Sequence, residues 1–201
     1  MGSSYFTSPL TLIITTLFDL YVLLVLLRFM LQMFRADFYN PVSQFIVKVT
    51  SPPLKFLRRG IPSLAGQDTS AILLCLLLTF IKFVLLRLLD VEVVHINNTP
   101  AYIGGVSYLG LMIYSLADLI SLFFGVFLIA ILIQVVLSWI NPGTYNPVIG
   151  LVHTLAAPVL RLIQKFIPPI GGLDISPLFA MLGIVVIKML LIPPIMSLAN
   201  Q

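Results

Sequence analysis

Charge is scarce in this sequence. Charged residues make up 9% of its 201 positions and hydrophobic residues 60%, where a soluble domain carries about 25% charged residues. That excludes an ordinary water-soluble globule and puts the chain in lipid. Cysteine is scarcer still. Cys75 stands alone in an apolar run, so neither an intrachain disulfide nor a cysteine-based metal site can form. The two histidines, His95 and His153, are isolated in sequence. Each reads as a satisfied or solvent-facing side chain rather than a haem or metal ligand. No nucleotide loop, zinc-binding helix, nucleophile elbow or pair of catalytic carboxylates is found. The expectation is a non-enzymatic protein with no cofactor and no metal. The opening MGSSYFTSPL has no Lys or Arg. It lacks the charged start of a secretory signal peptide, so the apolar run after it is expected to stay in the protein.

What the chain does have is long apolar runs, roughly 10–34, 70–94, 116–140 and 175–199. Each exceeds the ~20 residues that cross a hydrocarbon core of ~30 Å. Lipid cannot satisfy backbone polar groups, so the runs should be helices. Residues 101–115 are apolar as well, and either extend the third helix or lie along the interface. INNTPAYIGG ahead of them reads as a turn.

The sequence also repeats itself. With a shift of 106 residues, Tyr39-Asn40-Pro41-Val42 meets Tyr145-Asn146-Pro147-Val148, Pro52 meets Pro158, and Pro62 meets Pro168. Gly66, Asp68 and Ser70 meet Gly172, Asp174 and Ser176, and Lys82 meets Lys188. About a third of the aligned positions are identical. Each copy holds two spans and so returns to its starting side. The copies are therefore parallel, related by an axis along the membrane normal. This predicts an all-α membrane protein with about four transmembrane helices in two repeats, 1–100 and 101–201.

Seven of the eleven Lys/Arg residues lie in the segments between paired spans: Arg35, Lys48, Lys55, Arg58, Arg59, Arg161 and Lys165. The positive-inside rule puts those segments in the cytoplasm and both termini outside. Within them, Asn40-Pro41 and Asn146-Pro147 suit helix starts. Val42, Phe45, Ile46 and Val49 make one apolar face, and Val148, Leu151, Val152 and Leu155 another. Pro52 and Pro158 should break these helices, giving interfacial helical hairpins over 40–66 and 146–172. Ser70, and Ser176 followed by Pro177, are expected to cap the spans that follow. Such basic platforms suit anionic lipid of the cytoplasmic leaflet better than nucleic acid. They either finish the bundle against headgroups or dock a cytoplasmic or membrane protein. Trp139 and Tyr145 suit an interfacial aromatic belt.

RADFYNPVSQFIVKVTSPPLKFLRRGIP and YNPVIGLVHTLAAPVLRLIQKFIPPIGGLDISP together resemble the YggT family, also called YlmG, of small bacterial and plastid membrane proteins. The resemblance rests on Asn-Pro, a Thr/Ala-x-Pro step, a basic pair, Ile-Pro, and a Gly-Gly-x-Asp-x-Ser-Pro ending. The last is intact at Gly171, Gly172, Asp174, Ser176 and Pro177 and incomplete at Gly66 and Asp68. The resemblance implies a multi-pass protein of the bacterial inner membrane. The roles it suggests are osmotic-shock tolerance, cell division or nucleoid distribution, and haem attachment to a plastid cytochrome. It supplies no catalytic residue.

Some charges fall inside the spans. Asp19 and Lys82 lie about 22 and 18 Å from the platform ends of their helices at ~1.5 Å per residue, too deep to stay unpaired. They are expected to face each other. Lys188 sits at the matched depth and has Gly125 where the first copy has Asp19, so it would share Asp19. Arg28 is shallower and is expected to reach the headgroups. Two functions fit: a scaffold or assembly factor of the membrane, or an oligomeric small channel or transporter component for ions or osmolytes.

Overall fold

The structure, a computed structural model, describes residues 3–60, 67–140, 146–167 and 174–200. Within them lie six helices and one two-stranded hairpin: α1 (Ser3–Met33), α2 (Pro41–Leu57), α3 (Thr69–Leu88), β1 (Val93–Ile96), β2 (Thr99–Tyr102), α4 (Tyr108–Ile140), α5 (Pro147–Gln164) and α6 (Ser176–Leu198). Five of the helices, all but α2, are long and apolar enough to cross a membrane. The chain is a multi-pass membrane protein. Its main packed pairs repeat: α1 against α3 and α4 against α6, with α2 on α1, α5 on α4, and α3 joined to α4. The helices thus form a row, α1–α3–α4–α6, with α2 and α5 touching at one end.

Asn40 and Asn146 begin the amphipathic helices as their sequence suggests. Their side chains accept the amides of Val42 and Val148, each at 2.9 Å, and Pro follows each at the first turn. The expected breaks at Pro52 and Pro158 do not occur: each lies inside a continuous helix. A proline deprives the carbonyl four residues back of its donor. At Pro53 that carbonyl belongs to Val49, and Tyr21 Oη donates to it at 3.4 Å. The expected apolar face is also turned. On α2, Ser43, Ile46, Thr50 and Leu54 are buried while Phe45 is exposed. On α5, Leu151, Val152 and Leu155 pack inward but Val148 does not.

The second expected span stops early. Asp90 takes a positive φ of 57°, and the Val91 amide turns back to Leu86 O at 3.1 Å, a left-handed helix end. Val93 and Val94, counted as span from sequence, instead enter an antiparallel hairpin, where they pair with Tyr102 and Ala101. Its two-residue loop, Asn97-Asn98, has φ of 50° and 62°, which Asn tolerates better than most residues. The third span starts early, at Tyr108, because Ser107 Oγ accepts the Gly110 amide at 3.1 Å. So residues 108–115 extend the helix and 101–102 belong to a strand. A β-carbon on Gly110 would stand 2.5 Å from Ala199 O, so α4 and the end of α6 cross too closely for any other residue. Phe83, Leu86, Ile96, Ile103, Leu111, Tyr114 and Ile192 fill the core under the hairpin. A second, larger core fills the bundle toward α2 and α5.

Candidate functional site: an intramembrane charge cluster and two platforms

Lys82 is a charge buried in the interior of the bundle. Its Nζ donates to Asp19 Oδ1 at 2.6 Å and to Asp118 Oδ2 at 2.7 Å. Three helices meet there, α1, α3 and α4, so the cluster ties the first repeat to the second. The Lys82 side chain is 5% exposed, Asp118 27% and Asp19 55%. An unpaired charge at the centre of a bilayer costs at least about 2.5–3.5 kcal/mol, so the pairing is worth making. One amine serving two carboxylates nevertheless leaves the cluster one negative charge in excess.

The expected sharing is thus reversed. Lys188 has no ion pair with Asp19, or with any described residue, and it lies part-exposed on α6. Asp118 takes the second place instead. Sequence reading passed over it because a span starting at residue 116 puts Asp118 at the surface. A helix starting at Tyr108 puts it about 12 Å further in.

Arg28 does not reach the headgroups. It is 8% exposed, and its Nη1 donates to Val47 O, Thr50 Oγ1 and Ser51 Oγ at 3.2, 3.0 and 3.0 Å. Those groups sit on the α2 turn just before Pro52, so Arg28 fixes α2 to α1 where the proline weakens it.

The platforms meet at their N-termini, where Asn40 Nδ2 donates to Pro147 O at 2.6 Å. At the far end of α2, Arg58 forms an ion pair with the buried Asp68 just ahead of α3. At the matched place in the second copy, Gln164 Nε2 donates to Asp174 Oδ2 at 2.9 Å. The two aspartates therefore close the loop from platform to span, and Arg58 is engaged in that closure rather than free. Asp174 Oδ1 also accepts the Ser176 amide at 2.9 Å. Asp174, one position before the Ile175 N-cap, thus satisfies the first amide of α6 in place of Ser176, and the side chain of Asp68 caps nothing at α3. Burial pushes the Asp174 carboxyl upward, but the bonds from Ser176 and Gln164 outweigh it and hold the group below its ordinary value.

Arg35, Lys48, Lys55, Arg59, Arg161 and Lys165 are exposed, and so are His95 and His153. Pro41 and Pro147 begin α2 and α5, and Pro177 lies in the first turn of α6. Pro62, Gly66, Tyr145, Pro168, Gly171 and Gly172 lie outside the described residues, as does the side chain of Trp139.

The CCB3/YggT family model matches residues 7–89 and again 113–195. An uncharacterized protein of Pseudomonas aeruginosa is 44% identical over 180 residues, covering 90% of this chain and 86% of its own. One from Vibrio alginolyticus is 39% identical over 177 residues, covering 88% and 90%. The uncharacterized protein YggT of Escherichia coli (strain K12) is 34% identical over 182 residues, covering 90% and 88%. No solved structure matches. A twice-matched family model and near full-length relatives agree with the doubled motif: this chain belongs to the CCB3/YggT family.

Proposed function

We propose that the protein is a non-enzymatic scaffold or assembly factor of the bacterial inner membrane, whose two joined platforms gather anionic lipid or a protein partner. In this reading α1, α3, α4 and α6 cross the bilayer, while α2 and α5 lie along the cytoplasmic face and both termini face outward. Two features support a lateral α2. Its start follows the end of α1 within a few residues, and its end is held by Asp68 at the start of α3. Both ends of α2 thus return to the same level of the bundle. The excess of Lys and Arg on this side supports the orientation.

The observation that carries the reading is the outward face of the platforms. Six basic side chains there have no ion-pair partner among the described residues. Exposed Phe45, Phe56 and Phe166 lie in the same segments of the sequence. Amines and aromatic rings in one segment suit anionic headgroups over acyl chains. Family resemblance adds a role in osmotic stress tolerance or in envelope and division organisation.

The second reading is an oligomeric channel or transporter component, and the half-open Asp19 favours it. Against it, one cavity of about 230 Å³ between the repeats, on the bundle side of the platforms, is lined by apolar side chains alone, among them Leu27, Ile46, Ala130 and Leu155. It offers an ion no polar path. Ion flux through purified protein in liposomes separates the two. The scaffold reading expects no more flux than empty liposomes give, and reproducible flux would replace it with the second.

A further inference from the structure

We infer that the protein closes into a ring of identical copies in which Lys188 on α6 of one copy completes the Asp19–Lys82–Asp118 cluster of the next. The inference is independent of the platform reading and rests on charge, depth and the order of the helices.

Charge comes first. The cluster holds two carboxylates and one amine, while Lys188 is a lone amine within the span α6. Each is out of balance by one unit, with opposite sign. Among the cluster's groups the open one is Asp19, at 55% exposure, and it faces out of the bundle beside exposed Leu17 and Leu20. Lys188 is likewise part-exposed, next to exposed Ile187 and Met189.

Depth agrees. Lys82 stands twelve residues after Ser70 and Lys188 twelve after Ser176, so the two amines share a level in the parallel repeats. Asp19 touches Lys82 and shares that level. Rotation about the membrane normal leaves depth unchanged, so Asp19 of a neighbouring copy stands level with Lys188.

Helix order supplies the geometry. α1 and α6 end the row on opposite sides and are not a packed pair. Within the chain, the last span of the first repeat packs on the first helix of the second, α3 on α4. The same seam between copies is α6 on α1. Such a contact is head to tail, and it closes into a ring when the rotation permits. The exposed leucines and isoleucines of both edges would otherwise meet lipid, which suits them. An exposed carboxylate and a lone amine at that depth are what lipid does not suit.

The test is cross-linking in membranes that co-express two tagged forms, one with Leu20→Cys and the other with Met189→Cys. Native Cys75 is buried, and a pair lacking both added cysteines serves as control. A mixed cross-linked dimer is expected, while Leu20→Cys alone and Met189→Cys alone give none. A dimer through Leu20 alone or Met189 alone would mean a symmetric contact and overturn the ring. No cross-link in any combination would mean lipid or another protein covers these edges and would overturn it too. Lys188→Leu measures the role of the charge. Self-association in liposomes, read by fluorescence transfer between labelled copies, should weaken at least fivefold and recover with Lys188→Arg. A smaller loss, or no recovery, removes Lys188 from the contact.

Discussion

Arg28 and Gln134 occupy matched positions 106 residues apart, and their surroundings differ in step with them. Arg28 binds a carbonyl and two hydroxyls on α2. At the matched places on α5 the second copy has Ala156 and Ala157 in place of Thr50 and Ser51, and the Gln134 Oε1 is buried without a hydrogen-bond partner among the described residues. Tyr21 supplies a hydroxyl to the carbonyl freed by Pro53. The second copy has Phe127 and Val159 there, so it frees no such carbonyl and offers no such hydroxyl. Arg58–Asp68 becomes Gln164–Asp174. The same helices meet in both halves, through ion pairs in the first and through a neutral amide on a carboxylate or apolar packing in the second. The shared backbone geometry therefore does not require the charges, and a charge can be removed where its whole neighbourhood is neutral. Lys188 breaks that rule: it keeps the charge and has no ion-pair partner among the described residues.

The largest break in this comparison should come from Lys82→Met, which leaves two carboxylates facing each other away from water. Removing one partner of a buried ion pair costs about 3–5 kcal/mol, read as a loss of unfolding free energy in detergent micelles. Lys188→Met, at the matched position, should change the stability of the dispersed monomer by less than about 0.5 kcal/mol. Equal losses at the two positions would erase the asymmetry.

Next in size is Arg28→Gln, which gives the first half the residue of the second but keeps Thr50 and Ser51. Hydrogen bonds to a charged group are worth about 1.5–3 kcal/mol, and a loss in that range is expected. Adding Thr50→Ala and Ser51→Ala to it should cost less than the sum of the separate changes, since the three groups act together. Strict additivity would mean that Arg28 does not act through them.

The smallest effects belong to the loop closures. Arg58→Gln recreates the pairing of the second copy. With a half-exposed guanidinium, it should cost about 1 kcal/mol or less. Asp174→Ala should cost about 0.5–1 kcal/mol as a lost helix cap. The Asp174 carboxyl is held below its ordinary value in the folded protein. Its contribution is therefore complete above the unfolded aspartate value of about 3.9 and is lost as pH falls through the lower folded value. Thermal unfolding followed below pH 4 should show the wild type approaching Asp174→Ala, with no difference in trend above pH 5.

The repeat, the Asn caps and the pairing of Asp19 with Lys82 could be read from residue spacing because they depend on local pattern and on the cost of charge in lipid. The rest depended on who meets whom. Pro52 reads as a breaker because the sequence does not show Arg28 and Tyr21 supplying bonds to α2 from another helix. Arg58 reads as a free surface charge because nothing in the sequence shows that Asp68, ten residues on, pairs with it. Val93 and Val94 looked like span because an apolar strand under a hairpin and an apolar helix end read alike over a few residues. Asp118 went unnoticed for a related reason. Its depth hangs on where α4 begins, which is decided by the Ser107 cap.

The central claim is that Lys82 joins the two repeats by holding Asp118 as well as Asp19. A double-mutant cycle between Lys82→Met and Asp118→Asn, read by unfolding free energy in micelles, tests it most directly. The account predicts a coupling of about 1 kcal/mol or more between the two changes, as groups in contact show. Costs that add to within about 0.3–0.5 kcal/mol, as for distant sites, would contradict it.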